Sequence, residues 1–369
     1  MKAKKDIRNH VKLLDVAKAS GFAVSTVSIV LNDAPLSQHV AASTRKHIRE
    51  VALSLGYHPD AFARSLRRNR SRMIGVITSD LSDPFCISII HGIEDHLQSQ
   101  GYLPQFMDAR SQRSLFETHL RMALERRAEG IIVIASWVFD ENSILEDIKK
   151  NHVPVVVVGR DMTARNISSV LVDNHAGGYL ALQHLHQLGH RKVAVILGPA
   201  EMFDSQPRWE GVQRYAAEAK LKFNPSLICQ LPSQINPYSA YDNGIMLTEK
   251  LLAKSKDFSA IIAFDDLTAL GAIRGLNRSG LGVPADCSVI GFDDVFPAAV
   301  SLPSLTTIRQ SMLQIGETAA KCVMEALKAK EDRKEAQVQI HTFPPTLIAR
   351  ESTATYRDRP RPKGVRTKP

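Results

Sequence analysis

From Met73 onward the chain alternates between two kinds of segment, and it runs through that alternation twice. Apolar runs of strand length, at Met73–Thr78, Leu103–Asp108, Gly130–Ala135, Val153–Gly159 and Ser169–Val172, are separated by helix-length patterns over Ile87–Gln100, Leu115–Ala128 and Ser143–Asn151. The sequence then begins again at Arg191-Lys192-Val193, which resembles the opening at Arg72-Met73. Strand runs at Val193–Leu197, Leu227–Leu231, Ala260–Phe264 and Cys287–Phe292 alternate with helices over Gln206–Leu221, Tyr241–Ala253 and Leu267–Ser279. A short run that is apolar throughout suits a strand buried on both faces, and such strands alternating with amphipathic helices form βαβ units around a parallel sheet. The pattern predicts two doubly wound α/β subdomains, about 73–174 and 175–305, with the chain crossing back after 305 and the core ending near 355. Two such subdomains leave a cleft between them, a common seat for small ligands. Pro344-Pro345 and the basic tail 356–369 lack periodicity and read as disordered.

The first 72 residues have a different texture. They hold 14 Lys/Arg against 5 Asp/Glu, whereas 73–355 hold 27 against 32 and 356–369 hold 6 against 1. A basic head on an acidic body is the charge pattern of a nucleic-acid module joined to something else. Three helix-length segments fit into residues 1–59. Leu13–Ser20 places Leu13, Val16 and Ala17 on one face and stops at Gly21. A second helix begins near Ser25, with Val27, Val30 and Leu31 on one face. A third spans about Ala42–Leu55, with Ile48, Val51, Ala52 and Leu55 inward, and stops at Gly56 before Tyr57-His58-Pro59. Two short helices around a glycine turn have the form of a helix-turn-helix, which projects Ser25, Thr26 and Ser28 from the start of its second helix toward base edges. Residues 60–72, Ala-rich and then basic, read as a short helix and linker.

Other functions lack their chemistry. No Gly-x-Gly-x-x-Gly follows the first strand of either subdomain, and there is no phosphate-binding P-loop and no Gly-x-Ser-x-Gly elbow. No metal site is expected. His186 and His190 are four apart without an accompanying Glu, and Cys86, Cys229, Cys287 and Cys322 contain no Cys-x-x-Cys pair. The four cysteines fit buried free thiols in a reducing compartment. No apolar run approaches a membrane span, and no signal core follows the basic N-terminus, so the expected location is the cytoplasm, without a membrane partner. Paired carboxylates do occur, at Asp265-Asp266 and Asp293-Asp294, each just past a buried strand, where open α/β sheets bind ligands. Successive strand residues point to opposite sides, so one carboxylate of each pair can face the cleft while the other braces the next loop.

Taken together, these residues resemble the LacI/GalR family of bacterial transcription repressors, over about Lys12 to Ala354. The motifs that carry the resemblance are Asp15-Val16-Ala17, Gly21, Val24-Ser25-Thr26-Val27-Ser28, Val30-Leu31-Asn32, Gly56-Tyr57-His58-Pro59 and Ala63-Arg64-Ser65-Leu66. Further on come Ile74-Gly75-Val76, Asp83-Pro84-Phe85, Gly189-His190-Arg191, Ala269-Leu270-Gly271, Val289-Ile290-Gly291-Phe292-Asp293-Asp294 and Leu305-Thr306-Thr307-Ile308. The resemblance implies an all-α helix-turn-helix head with a hinge helix, joined to a periplasmic-binding-protein-like core that dimerises.

By the same resemblance, Val24 and Ser25 face bases of a double-stranded operator, while Thr26, Ser28 and Asn32 contact phosphates or brace the helix. Leu66 wedges into the minor groove with Ala63, Arg64 and Arg67 beside it, and the hinge Ala61–Arg68 is expected to fold on DNA. Arg160, Arg208, Asp265 and Asp293 face a small-molecule effector, with Asp83 and Phe85 lining the cleft from the first subdomain. No cofactor is implied. The effector would be a sugar or sugar derivative, since carboxylates take paired hydrogen bonds from vicinal hydroxyls. Four departures stand out. Ile29 replaces a common arginine, Lys12 sits where a Ser or Thr usually caps the first helix, Asp265 replaces a usual asparagine, and Asp33–Ser43 is about four residues longer than the commonest form. The function implied is a homodimeric, ligand-responsive repressor of carbohydrate-related genes, and not an enzyme. The alternative is a sugar-binding protein for transport or chemoreception.

Overall fold

The computed structural model describes residues 11–32, 34–57, 70–135, 152–233 and 237–357. The chain forms two compact units, 1–72 and 73–369.

The first unit contains α1 (Leu13–Ser20), α2 (Val24–Leu31) and α3 (Ala42–Ser54), with a 3₁₀ turn at Pro35–His39 in the long α2–α3 connection. Gly21 takes φ 74° and ends α1, its N–H donating to the Ala17 carbonyl at 3.1 Å. The left-handed conformation suits glycine, which has no Cβ to clash. α1 and α2 meet at 110°. Val16, Ala17, Val27, Val30, Ile48 and Ala52 form the buried centre. The fully buried Val16, Val27, Val30 and Ile48 side chains each contribute roughly 1.5–3 kcal/mol. Leu55 differs from expectation and is exposed. Lys12 cannot cap α1, but the Asp15 side chain accepts from the Lys12 N–H at 2.8 Å and satisfies the helix start from inside.

The second unit holds two sheets of identical strand order. The first sheet comprises β1 (Met73–Thr78), β2 (Leu103–Asp108), β3 (Gly130–Ile134), β4 (Val155–Val158), β5 (Ser168–Val172) and β11 (Ile340–Phe343), in the order β11-β5-β4-β3-β1-β2. The second comprises β6 (Val193–Leu197), β7 (Ile228–Gln230), β8 (Ala260–Ala263), β9 (Ser288–Asp293), β10 (Thr306–Arg309) and β12 (Thr346–Ile348), in the order β12-β10-β9-β8-β6-β7. All pairs are parallel except β10–β12. The helices are α4 (Pro84–Ser99), α5 (Arg113–Glu125), α6 (Asn174–Gln187), α7 (Ser205–Glu218), α8 (Pro237–Lys254), α9 (Asp266–Arg278), α10 (Phe296–Val300) and α11 (Met312–Glu331). Separate apolar clusters fill the space on each face of each sheet.

Three helix pairs cross through reciprocal glycines. A Cβ at Gly178 of α6 would strike the Arg208 carbonyl of α7, and one at Gly211 of α7 would strike the His175 carbonyl of α6. Gly92 and Gly316 do the same for α4 and α11, as do Gly244 and Gly271 for α8 and α9.

Beyond Phe292 the structure departs from the sequence-based expectation. β10 still belongs to the second sheet, so the chain crosses back at 310–311 rather than directly after 305. It then forms α11, which packs against α4 of the first lobe. Pro344-Pro345 is an ordered link that returns the chain from β11 to β12. Tyr356 is also held: its N–H donates to the Leu188 carbonyl at 2.7 Å and its ring lies 5.7 Å from that of His190. The rest of the tail, 358–369, lies outside the described residues, as does the helix expected at Ser143–Asn151. All four cysteines are buried free thiols. Among the described residues no single helix is long and apolar enough to cross a membrane.

Candidate functional site

The carboxyl ends of the two sheets face one cleft, whose empty space together with the open solvent at its mouth is about 1130 Å³. Its walls are the residues that follow the strands: Ser79 and Asp80 after β1, Ala135 after β3, Gly159 after β4, Asp265 after β8 and Gln310 after β10. That is where open α/β sheets place ligands.

The sequence reading named Asp83, Phe85, Arg208, Asp265 and Asp293 as effector contacts, and all five line this cavity. Arg160 does not. Its neighbour Gly159 lines the wall, and Arg160 is half-buried.

Asp83 caps α4, its Oδ1 accepting from the Phe85 N–H at 3.0 Å. This one contact fixes the carboxylate and aims the first turn, with Phe85, into the cleft. Asp265 caps α9 in the same way, accepting from the Thr268 N–H at 2.7 Å. Asp293 accepts from Gln310 Nε2.

Arg208 is 7 % exposed and firmly tied. Its Nε and Nη2 donate to Asn174 Oδ1 at 3.2 and 2.8 Å, Nη1 donates to the Phe264 carbonyl, and Nη2 reaches Asp204 at 3.4 Å. Phe264 and Phe292 cover the guanidinium, with ring centroids 4.5 and 3.5 Å from its central carbon. The glycine crossing of α6 and α7 brings Asn174 and Arg208 close enough to bond.

The two Asp pairs divide their roles. Asp266 turns inward, accepting from Thr307 Oγ1 at 2.6 Å and the Val295 N–H at 2.9 Å. Asp294 binds Arg309 Nε at 2.6 Å and Arg350 Nη2 at 2.5 Å. These ties hold Asp293 and Asp294 at φ 114° and 61°, a left-handed conformation that costs a non-glycine residue roughly 1–3 kcal/mol.

Burial governs the charge of the cluster. It pushes the Asp83 carboxyl up to about 7 against the pull of the Phe85 N–H, with Asp265 and Asp80 adding repulsion. It raises Asp266 to about 8 and holds Asp265 and Asp293 above the usual carboxylate range.

Sequence reasoning missed the supports: Asn174, Asp204, Gln310 and the two phenylalanines. A signal was present. Phe264-Asp265-Asp266 and Phe292-Asp293-Asp294 are the same tripeptide at the ends of the paired strands β8 and β9.

In the head, Val24 and Ser25 are exposed at the start of α2, and Thr26 and Ser28 are half-buried. Asn32 Nδ2 donates to the Ser28 carbonyl at 2.8 Å and so braces the helix end. No side chain caps α2, which leaves its first N–H groups for another acceptor. The hinge residues Ala63, Arg64, Leu66 and Arg67 lie outside the described residues.

Residues 12–60 match the family described as bacterial regulatory proteins, lacI family, and residues 182–353 match the periplasmic binding protein-like domain. The HTH-type transcriptional repressor PurR of Haemophilus influenzae strain PittEE is 33% identical over 337 residues, spanning 90% of this chain and 96% of that protein. The chain belongs to the lacI family of bacterial regulatory proteins. Among solved structures, this family member is similar to the lac repressor dimer bound to operator and the anti-inducer ONPF (26% identity, TM-score 0.79, 93% of this chain and 99% of that one). It is also similar to a LacI family transcriptional regulator from Enterococcus faecium with bound ribose (28% identity, TM-score 0.66, 77% and 100%). This lacI-family chain is thus a ligand-responsive DNA-binding transcriptional repressor and not an enzyme. The alternative of a binding protein without DNA function is set aside.

Proposed function

We propose that the chain acts in the cytoplasm as a homodimer whose two heads grip a double-stranded operator and whose cleft binds a small effector that changes that grip. The observation that carries this reading is the convergence of Asp83, Arg208, Asp265 and Asp293 on one cavity, in a chain that begins with a helix-turn-helix. Val24 and Ser25 read base edges, Thr26 and Ser28 meet phosphates, and Asn32 braces the helix. Ala63, Arg64, Leu66 and Arg67 enter the minor groove at the operator centre. Exposed apolar side chains support the dimer: Phe296, Val300, Leu302 and Met246 in the second lobe, Ile87 and Leu313 in the first.

The effector is a sugar or sugar derivative, and the genes controlled are carbohydrate-related. Carboxylates beside an aromatic ring suit a polyol, and the Enterococcus neighbour holds ribose. A purine is the second reading, favoured by the curated relatives' name, PurR. Its N–H groups would meet the same carboxylates. A thermal-shift screen of sugars against purine bases and nucleosides separates the two.

Binding to promoter DNA tests the DNA half of the reading. With ~6–10 phosphate contacts, affinity should fall roughly 10³–10⁵-fold between 50 and 200 mM salt. A flat salt response would remove the electrostatic basis of operator binding.

A further inference from the structure

The cleft has an unbalanced set of charges. Among the described residues that line it, the acidic side chains are Asp80, Asp83, Asp204, Asp265, Asp266 and Asp293, and the basic one is Arg208. Arg208 is largely spent inside the protein. Asn174, Asp204 and the Phe264 carbonyl take four of the five N–H groups of its guanidinium, and two phenylalanine rings cover it. It therefore offers an incoming anion almost nothing.

The carboxylates sort differently. Asp266 uses both oxygens on Thr307 and Val295, Asp204 pairs with Arg208 through Oδ2 while its Oδ1 is buried without a hydrogen-bond partner, and Asp80 accepts from Ser82. Asp83, Asp265 and Asp293 remain on the walls. Asp83 spends Oδ1 on Phe85 and Asp293 spends Oδ1 on Gln310, which leaves each a second oxygen for the cavity. One of the three belongs to the first lobe and two to the second, so once ionised they repel one another across the cleft.

We propose that the effector bears a cationic nitrogen, an ammonium or amidinium on a sugar-sized scaffold, held between Asp83 of one lobe and Asp265 and Asp293 of the other. This rests on the reading of the cleft as the effector site. A cation between the walls turns repulsion across the cleft into attraction toward a shared partner. It thereby binds a closed cleft better than an open one, which is the differential affinity a switch requires. An anion meets several carboxylates and one occupied guanidinium. A neutral polyol satisfies the acceptors but does nothing to favour the ionised carboxylates, so its binding releases no protons.

The empty cleft holds protons, because burial raises all three carboxyls, with repulsion from neighbouring carboxylates adding to it. A bound cation favours their ionised forms and expels protons. Its affinity then rises with pH over the range where the carboxyls release them.

The test is a thermal-shift and calorimetric comparison on the full chain. The cationic probes are glucosamine, galactosamine and putrescine. The neutral probes are glucose, galactose and adenosine, and the anionic ones are the two hexose 6-phosphates and AMP. The expected best binder is cationic. Its affinity rises about tenfold from pH 5.5 to 7, with proton release seen in buffers of different ionisation enthalpy. Asp265→Asn and Asp293→Asn keep the acceptors for the Thr268 N–H and for Gln310, so the fold is retained while charge is lost. Each should weaken the cation about tenfold and reduce the proton release. A neutral or anionic best binder with flat pH dependence, still weakened by Asp293→Asn, overturns the charge assignment and leaves the cleft as the effector site. A ligand indifferent to both variants binds elsewhere and overturns both.

Discussion

In the first lobe the strand ends that reach the cleft are mostly apolar, Ile134, Ala135, Val158 and Val172, and Asp83 and Phe85 enter from the first turn of a helix. In the second lobe the matching strand ends carry Phe264-Asp265 and Phe292-Asp293, with Arg208 clamped between the rings. The strand order is the same in both. The difference shows how one topology can supply a rigid, chemically specific wall and a simpler wall that closes against it. The second lobe builds its polar groups into its own stability. In the first lobe Asp83 is fixed by a single backbone contact.

Arg208→Ala should break this comparison most strongly. It strips partners from Asn174, Asp204 and the Phe264 carbonyl and empties the space between two rings. We expect a loss of about 2–4 kcal/mol in urea unfolding together with loss of effector binding. A variant with unchanged stability would mean that the clamp is not structural. Asp266→Ala comes next. It leaves Thr307 and Val295 unpaired at a site 1 % exposed and should cost about 1–3 kcal/mol.

The pH dependence of stability sharpens the comparison from the other side. In the folded chain Asp83 keeps its proton up to about 7 and Asp266 up to about 8, whereas each ionises near 3.8 when unfolded. Between those values the folded state binds more protons than the unfolded one. The contribution is therefore full below about pH 4 and is lost as pH rises through 7–8. Thermal unfolding temperature should fall between pH 5 and 8, and the fall should be shallower in Asp83→Asn. Equal slopes would show that Asp83 ionises freely. The smallest effect belongs to Arg160→Ala, a half-buried side chain that does not line the wall, which should change effector affinity by about twofold or less. A tenfold loss by calorimetry would return Arg160 to the site.

Legibility in the sequence followed burial. Strands apolar throughout, such as Met73–Thr78 and Val193–Leu197, could be read from composition alone. So could the head, where Gly21 and the spacing of Val27, Val30 and Ile48 mark turns and faces. The last third resisted for identifiable reasons. β10 is a polar strand whose buried Thr306 and Thr307 are satisfied by Ser352, Arg350 and Asp266 from distant parts of the chain. α11 carries an apolar stripe at helical spacing, Met312, Ile315, Ala319, Val323 and Leu327, and what the sequence hid was its return to the first lobe. In the site, residues at strand ends were readable by position. Asn174 and Gln310 were not, because only the helix crossing and the returning strand bring them to their partners.

The central claim is that occupancy of the cleft alters the grip of the head on DNA. It is tested most directly by the fluorescence anisotropy of labelled operator DNA, titrated with protein in the absence and presence of saturating effector, in wild type and in Asp293→Asn. The account predicts a shift in operator affinity of about 5–150-fold in wild type. In Asp293→Asn the same shift should require a higher effector concentration. Operator affinity that is identical with and without saturating effector would contradict it.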